Sequence, residues 1–224
     1  MNIQTNTNIV NLSGTIATEF KLNHVINDKK FYSAEINIER ISGVVDTIPF
    51  TVNEKLINLE ESYVGKHAEI SGCLRAFNNH NIIDDKRKLI IIVSAKTFKI
   101  NDEYVDKELF NKNEIVLEGY ICKEPVLRVT PFSERTISDV IIAVNRPYMN
   151  TDYVPCICWG GLAKFVNRLK VGSYISIIGR IQSRQYNKKL DNDEYEVRTA
   201  YEVSIGKLVL NNNKKNNQLI YRKA

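Results

Sequence analysis

The 224-residue chain has no run of about 18 apolar residues, so no segment is predicted to cross a membrane as a helix. Its first ten residues, MNIQTNTNIV, have neither the basic start nor the apolar centre of a secretory signal. We therefore expect a cytoplasmic, nucleoid-associated location, where the four cysteines would remain reduced.

Patterns typical of metal-binding and catalytic sites are also absent. The cysteines (Cys73, Cys122, Cys156 and Cys158) form no CxxC or Cys/His arrangement at metal-ligand spacing, and all three histidines precede residue 81. The sequence has no P-loop, no repeated carboxylate cluster and no Ser/His/Asp or Cys/His arrangement for nucleophilic catalysis. We predict a protein that is not an enzyme, with no catalytic residues, no metal and no cofactor.

Positive charge is concentrated in the second half of the chain. Residues 1–105 contain 12 Lys/Arg against 13 Asp/Glu, a net charge of −1. Residues 106–224 contain 19 against 13, a net charge of +6. A polyanionic partner is therefore expected to prefer the second half.

Three segments of the first half recur in the same order in the second half, 105, 106 and 107 residues later. They are NIVNLSGTI (8–16) with NEIVLEGYI (113–121), DTIPFTV (46–52) with DYVPCIC (152–158), and VGKHAEISGCL (64–74) with VGSYISIIGRI (171–181). Three matches in order at nearly constant spacing indicate an internal duplication.

Each copy reads mostly as strands, because apolar and polar residues alternate in segments such as 31–39 and 174–181. One helix is predicted between the third and fourth strands of each copy, at residues 54–62 and 161–169. This order of elements is that of the OB fold. The sequence thus predicts an all-β protein of two tandem five-stranded OB-fold barrels, each with one short helix between strands 3 and 4.

The boundary between the copies is placed in a charged segment without apolar periodicity, residues 101–112. The first OB fold is then predicted at residues 1–105 and the second at 106–210. The polar, Asn/Lys-rich residues 211–224 are predicted to be a flexible tail.

Strand parity separates the barrel core from the outer face, because alternate residues of a barrel strand point inward and outward. The apolar parity of the third strand is assigned to the core: Ile48, Phe50 and Val52 in the first copy, and Val154, Cys156 and Cys158 in the second. The core residues assigned on the fourth strand are Ala68, Ile70, Gly72 and Leu74 in the first copy, and Ile175, Ile177, Gly179 and Ile181 in the second. The adjacent cysteines are therefore interpreted as small core residues and not as a redox pair.

The opposite parity of the second copy carries aromatic rings and cations. On the third strand it has Tyr153 and Trp159, and on the fourth it has Tyr174, Ser176, Ile178, Arg180, Gln182, Arg184 and Tyr186. Exposed bases of a single strand stack on such rings while cations contact the phosphates. The alternative is that the rings pack under the linker, the helix or a partner subunit, and that Arg128, Lys188 and Lys189 are solvated loop charges.

Four segments of the second copy, EPVLRVTP (124–131), IIAVNRPY (141–148), CICWGGLAKFVNRLKVGSYISIIGRIQSRQY (156–186) and YEVSIGKLVL (201–210), closely resemble the bacterial single-stranded DNA-binding protein family. The resemblance implies base-stacking positions at Tyr148, Tyr153, Trp159 and Tyr186, of which strand parity alone indicates all but Tyr148. The predicted DNA-binding residues are Arg128, Arg146, Tyr148, Tyr153, Trp159, Arg180, Arg184, Tyr186 and Lys188.

The first copy resembles this family only in its core pattern. At the four stacking positions it has Ser42, Thr47, Asn53 and Asn79, so its DNA-binding face is predicted to be degenerate and its main role to be support of the assembly. Arg75 and Phe77 argue the other way, since they could hold a phosphate and a base.

The resemblance also bears on partners. Family members usually end in an acidic tip that binds other proteins, whereas this chain ends in the basic KKNNQLIYRKA, so no acidic tip is expected. Tandem members assemble as two chains that supply four barrels, which implies a homodimer.

The function predicted from these features is sequence-tolerant binding and protection of single-stranded DNA in DNA replication, recombination or repair. The alternative is an OB-fold interaction module of a primosome or recombination complex, in which DNA binding is secondary.

Overall fold

The computed structural model of the chain describes residues 8–81, 86–101, 110–130, 134–146, 150–189, 194–211 and 218–221. The strands of the first half are β1 (Asn8–Ile16), β2 (Lys21–Ile26), β3 (Lys29–Glu39), β4 (Val45–Asn53), β5 (His67–Asn81) and β6 (Lys86–Ile100). Antiparallel pairing links β5 to β1 and β6, and β3 to β1, β2 and β4. A parallel pairing of β4 with β6 closes the barrel.

The second half repeats this arrangement. Its elements are β7 (Lys112–Ile121), β8 (Val126–Val129), β9 (Thr136–Asn145), β10 (Thr151–Trp159), α1 (Gly160–Val166), β11 (Tyr174–Lys189) and β12 (Tyr195–Leu210). The pairings of β7 with β9 and β11, of β11 with β12, and of β10 with β12 match those of the first half. The prediction of an all-β protein with two tandem OB folds is confirmed.

The first barrel differs from the prediction in its helix. The segment predicted as a helix at 54–62 forms only a 3₁₀ turn at Glu54–Leu56, followed by Ile57 in an extended conformation. Leu56 and Leu59 are exposed and Ile57 alone in this segment packs against the core, so the segment lacks the extended buried face that stabilises a short helix. In α1, by contrast, Ala163 and Val166 are buried.

Three short strands were not predicted. Strands β2 and β8 each precede the second main strand of their barrel and pair with it. Within the predicted flexible tail, β13 (Gln218–Tyr221) pairs with β12, so this part of the tail forms a strand. Most of the predicted linker, residues 102–109, lies outside the described residues. No helix in the described ranges has the length and apolar character needed to cross a membrane.

The barrel cores contain the residues that strand parity predicts. Ile48, Phe50 and Val52 in the first barrel and Val154, Cys156 and Cys158 in the second are all buried. Burial raises the pKa of the Cys158 thiol to about 12, and that of Cys156 well above its ordinary value. Both cysteines are therefore neutral packing residues, as predicted.

Gly72 and Gly179 occupy equivalent close contacts in the two barrels. β5 shifts its register against β6 at Gly72, and β11 shifts against β12 at Gly179. A side chain at either position would overlap the backbone carbonyl oxygen of Ser94 or Ser204. The repeated glycine therefore has a steric cause, the close approach of backbone at a bulge.

The two barrels share one continuous sheet, because β1 pairs antiparallel with β7. Val10 lies opposite Ile115 in this pairing, and the two are separated by 105 residues, the offset of the repeat. Equivalent residues that face each other across an antiparallel pair imply an approximate two-fold axis at that point. Side-chain contacts between the barrels are therefore expected to occur twice.

Two buried aspartates make this duplicated contact. Asp46 of the first barrel accepts a hydrogen bond from the backbone N–H of Ser183 in the second barrel, at 2.9 Å. Asp152 of the second barrel accepts one from the backbone N–H of Ala76 in the first barrel, also at 2.9 Å. Each carboxylate thus satisfies a backbone donor of the other barrel while it lies fully out of solvent.

Arginines compensate the charge of both carboxylates. Arg40 donates to Asp46 through Nε at 2.6 Å and through Nη2 at 2.5 Å, and this bidentate bond raises the pKa of Arg40. Arg146 Nε lies 3.2 Å from Asp152 Oδ2, and Arg75 Nη1 of the other barrel donates to the same oxygen at 3.3 Å. Arg40 and Arg146 are 106 residues apart and are the equivalent pair.

We predict that Asp152→Ala lowers the free energy of unfolding by about 3 kcal/mol, because it leaves a buried backbone donor and two arginines without their acceptor. Urea unfolding measures the loss. Asp139→Ala is the control, since Asp139 also binds an arginine in bidentate fashion (Arg128) but on an exposed surface, where about 0.5 kcal/mol is expected. Equal losses for the two variants would contradict the structural role of Asp152.

Candidate nucleic-acid interface

The two aromatic residues of the β10 outer face are accessible. Tyr153 is 54% exposed, and Trp159, at the end of the strand, is half-buried. Gly160 follows with φ +56°, a conformation that favours glycine, and begins α1 directly after the tryptophan. The indole is thus held at the junction of a strand and a helix.

The outer face of β11 supplies cations beside these rings. Arg180 is half-buried, whereas Arg184 and Tyr186 are exposed. The guanidinium of Arg184 lies 5.9 Å from the centre of the Tyr186 ring, within the range of a cation–π contact. Gln182, assigned to the same outer face, is instead buried and donates to Glu202 at 2.7 Å.

A groove of about 930 Å³ runs between the barrels and collects several of these side chains. We call it the inter-barrel groove; its lining includes Arg40, Val44, Arg135, Trp159, Arg180 and Arg184. Four arginines line the groove, and among the described residues no carboxylate lines it. Such a surface attracts an anion and offers one indole for stacking.

Arg180 is partly buried, unlike the exposed Arg135 and Arg184. Burial lowers its pKa, the nearby charge of Arg40 lowers it further, and Asp46 acts in the opposite direction. Its buried Nε has no hydrogen-bond partner within the described part of the chain. A buried donor without an acceptor is costly, so an anion that bound here would satisfy it.

The remaining predicted residues fall outside the groove. Arg128 is bound to Asp139, and Arg146 lies against Asp152, so their charges are balanced within the protein. Lys188 is half-buried near the end of β11. Tyr148 lies outside the described residues. The structure therefore brings Trp159, Arg180 and Arg184 together, with Tyr153 and Tyr186 as exposed rings on the same two strands.

The lining residues that sequence reasoning missed include Arg40, Val44 and Arg135. Arg40 and Val44 belong to the first barrel, whose outer face was predicted to be degenerate. The repeat contained a usable signal for Arg40, which lies 106 residues before Arg146. Arg135 lies just before β9 and had no comparable signal.

Two of the polar residues at the stacking positions of the first barrel make local hydrogen bonds. Thr47 Oγ1 donates to Asn37 Oδ1 at 2.8 Å, and Asn53 Oδ1 caps the 3₁₀ turn by accepting from Lys55 N–H at 3.1 Å. Ser42 is exposed in a turn, and the side chain of Asn79 lies outside the described residues. Phe77 is the main exposed ring here, at 47%.

Comparison with solved structures identifies the class of protein that the fold defines. The wild-type single-stranded DNA binding protein from Thermus aquaticus superposes with a TM-score of 0.66 over 97% of this chain and 94% of that chain, at 17% identity. At this identity the likeness concerns the fold, which is that of a protein with two OB folds.

Comparison of sequences gives the family. The profile of the Single-strand binding protein family matches residues 112–209. A single-stranded DNA-binding protein of Halalkalibacterium halodurans is 38% identical over 89 residues, which are 37% of this chain and 50% of that protein. Single-stranded DNA-binding protein A of Bacillus subtilis is 36% identical over 84 residues, 34% of this chain and 48% of that protein. The similarity to this family is confined to the second barrel, and the chain spans about half the length of these relatives.

We predict that Trp159, the only tryptophan, reports binding at the groove. Oligo(dT) is expected to quench its emission, and Trp159→Ala to weaken binding by about 1–3 kcal/mol, the contribution of one stacked base. Titration followed by fluorescence anisotropy of a labelled oligonucleotide measures the affinity of the variant. Tyr195→Ala, which removes an exposed ring outside the groove, is the control. Unchanged emission at saturation would argue against stacking on Trp159.

Proposed function

We propose that this protein binds and protects single-stranded DNA without sequence preference, by base stacking and phosphate contacts, and that it does so in DNA replication, recombination or repair. It acts as a binding protein and not as an enzyme. The observation that carries the proposal is the inter-barrel groove, which combines four arginines with Trp159 and has no carboxylate among its described lining residues.

The chemistry of the groove favours a single strand over a duplex. Stacking on Trp159, and on the exposed Tyr153 and Tyr186, requires bases whose faces are free, whereas in a duplex those faces are covered by the neighbouring base pairs. Stacking is available to every base, so little sequence preference is expected. The arginines contact phosphates and release the counterions bound there. Because this release is less favourable at high salt, the affinity decreases as the salt concentration rises.

We also propose a homodimer, in which two chains present four OB folds. The shared sheet β5–β1–β7–β11 has an outer face that includes two exposed apolar side chains, Tyr120 at 45% and Ile178 at 41%. Pairing of two such faces would remove this apolar surface from water. Light scattering at micromolar concentration is expected to give twice the monomer mass of 25.7 kDa; the monomer mass would contradict the dimer.

One observation supports a second role for the first barrel as a protein-binding module. Its strand β2 lies at the end of the shared sheet and exposes Leu22, Val25 and Ile26, each more than half accessible. An exposed apolar edge strand is a surface to which another chain can pair. If protein binding is the main activity of the whole chain, DNA affinity will be weak and will not depend on Trp159.

We predict that the protein binds oligo(dT) and a mixed-sequence oligonucleotide of the same length with similar affinity, and binds the corresponding duplex far more weakly. Raising the salt concentration from about 50 to 200 mM is expected to reduce the affinity for single strands at least tenfold, if about three phosphate contacts are made. Anisotropy titrations at both salt concentrations measure these effects. Equal affinity for the duplex would refute the proposed mode of binding.

A further inference from the structure

The wall of the inter-barrel groove opposite β11 belongs to the first barrel. It is formed by Arg40 and Val44, which lie in the turn between β3 and β4. The turn is closed by hydrogen bonds from Arg40 N–H to Val44 O and from Gly43 N–H to Arg40 O, both at 2.8 Å, with Gly43 at φ +78°. The wall is therefore an ordered turn of the first barrel.

We call the contact between the two barrels, formed by the β1–β7 pairing and by the aspartates Asp46 and Asp152, the seam. Contacts across the seam hold this turn against β11. Ser183 N–H donates to Asp46 Oδ1 at 2.9 Å, and Thr47 N–H donates to Ser183 Oγ at 3.2 Å. Ser183 also lines the groove, next to Arg184. The position of the turn relative to the cations of β11 is thus fixed by two hydrogen bonds and by the buried carboxylate.

The distribution of charge at this point leaves Arg180 available to a ligand. Arg40 is matched by its bidentate bond to Asp46, whereas the Nε of Arg180 has no acceptor. Arg180 lies close enough to Arg40 for their like charges to interact. A phosphodiester oxygen that entered the groove would supply the missing acceptor and screen the two guanidinium groups from each other.

We propose that the groove is a composite site, in which a backbone phosphate of single-stranded DNA binds Arg180 of the second barrel beneath the β3–β4 turn of the first. This inference rests on the proposed function. It assigns the first barrel a direct part in DNA binding although that barrel lacks the stacking rings, and it makes Arg180 the anion anchor of the site.

Two neighbouring valines provide a matched test. Val44 is 50% exposed and lines the groove, whereas Val45 is 49% exposed and does not line it. Val44→Glu and Val45→Glu introduce the same charge on adjacent residues of the first barrel, and in the full-length chain only the first places a carboxylate in the groove. We expect Val44→Glu to weaken binding to labelled oligo(dT) roughly fivefold at low salt, and Val45→Glu to change it less than twofold.

Stability is measured in parallel, because Val45 lies opposite Glu39 in the β3–β4 pairing and a second carboxylate there costs some stability. Arg180→Gln provides an independent measure, since it is expected to weaken binding at least fivefold. The slope of its affinity against salt concentration is expected to fall by the amount of about one phosphate contact. Arg180→Lys is expected to lose less affinity, because it keeps the positive charge.

The outcomes separate the two proposals. Equal effects of the two glutamates, or an Arg180→Gln variant with wild-type affinity and salt dependence, would overturn the composite site while leaving DNA binding intact. Failure of the unmodified chain to bind oligo(dT) would instead overturn the proposed function.

Discussion

The antiparallel pairing of β1 with β7 is the constraint on which the rest of the structure depends. It brings Val10 opposite its own equivalent, Ile115, and so relates the barrels by an approximate two-fold axis. The exchange in which Asp46 and Asp152 each accept a backbone N–H of the other barrel follows that axis. Because both barrels belong to one chain, this pairing forms within the molecule and needs no second subunit to supply it.

A buried carboxylate is costly unless its charge and hydrogen-bonding capacity are satisfied. At Asp46 and Asp152 this satisfaction comes from both barrels: an arginine six residues away in sequence, Arg40 or Arg146, and a backbone donor across the seam. An isolated barrel would leave Asp152 with only part of this set. The seam therefore favours a single cooperative unit, and separate fragments of the chain are a poor test of what each barrel does.

Strand parity predicted the cores well because the residues of a barrel strand point alternately inward and outward, and this alternation can be read from the sequence of each strand alone. Cys156 and Cys158 are buried for this reason, and Tyr153 is exposed. The helix predicted at 54–62 failed because a helix of that length depends on a buried face that the first barrel does not provide. The groove could be predicted only in part: Trp159 and Arg180 follow from one strand each, but the approach of Arg40 depends on the seam, which brings together residues more than 100 positions apart.

The divergence of the two copies follows from which positions are free to change. Core and seam residues are constrained in both barrels, because loss of the packing of a core or of the contacts of the seam destabilises the whole sheet. Outer positions of the first barrel are not constrained in this way, and Thr47 and Asn53 there make hydrogen bonds within their own barrel. The turn that carries Arg40 and Val44 is a different case, because Asp46 holds it against β11 whatever happens on the outer face. A barrel that has Thr47 and Asn53 where the other has Tyr153 and Trp159 can therefore still supply one wall of the groove, since that wall belongs to the contact between the barrels and not to the outer face.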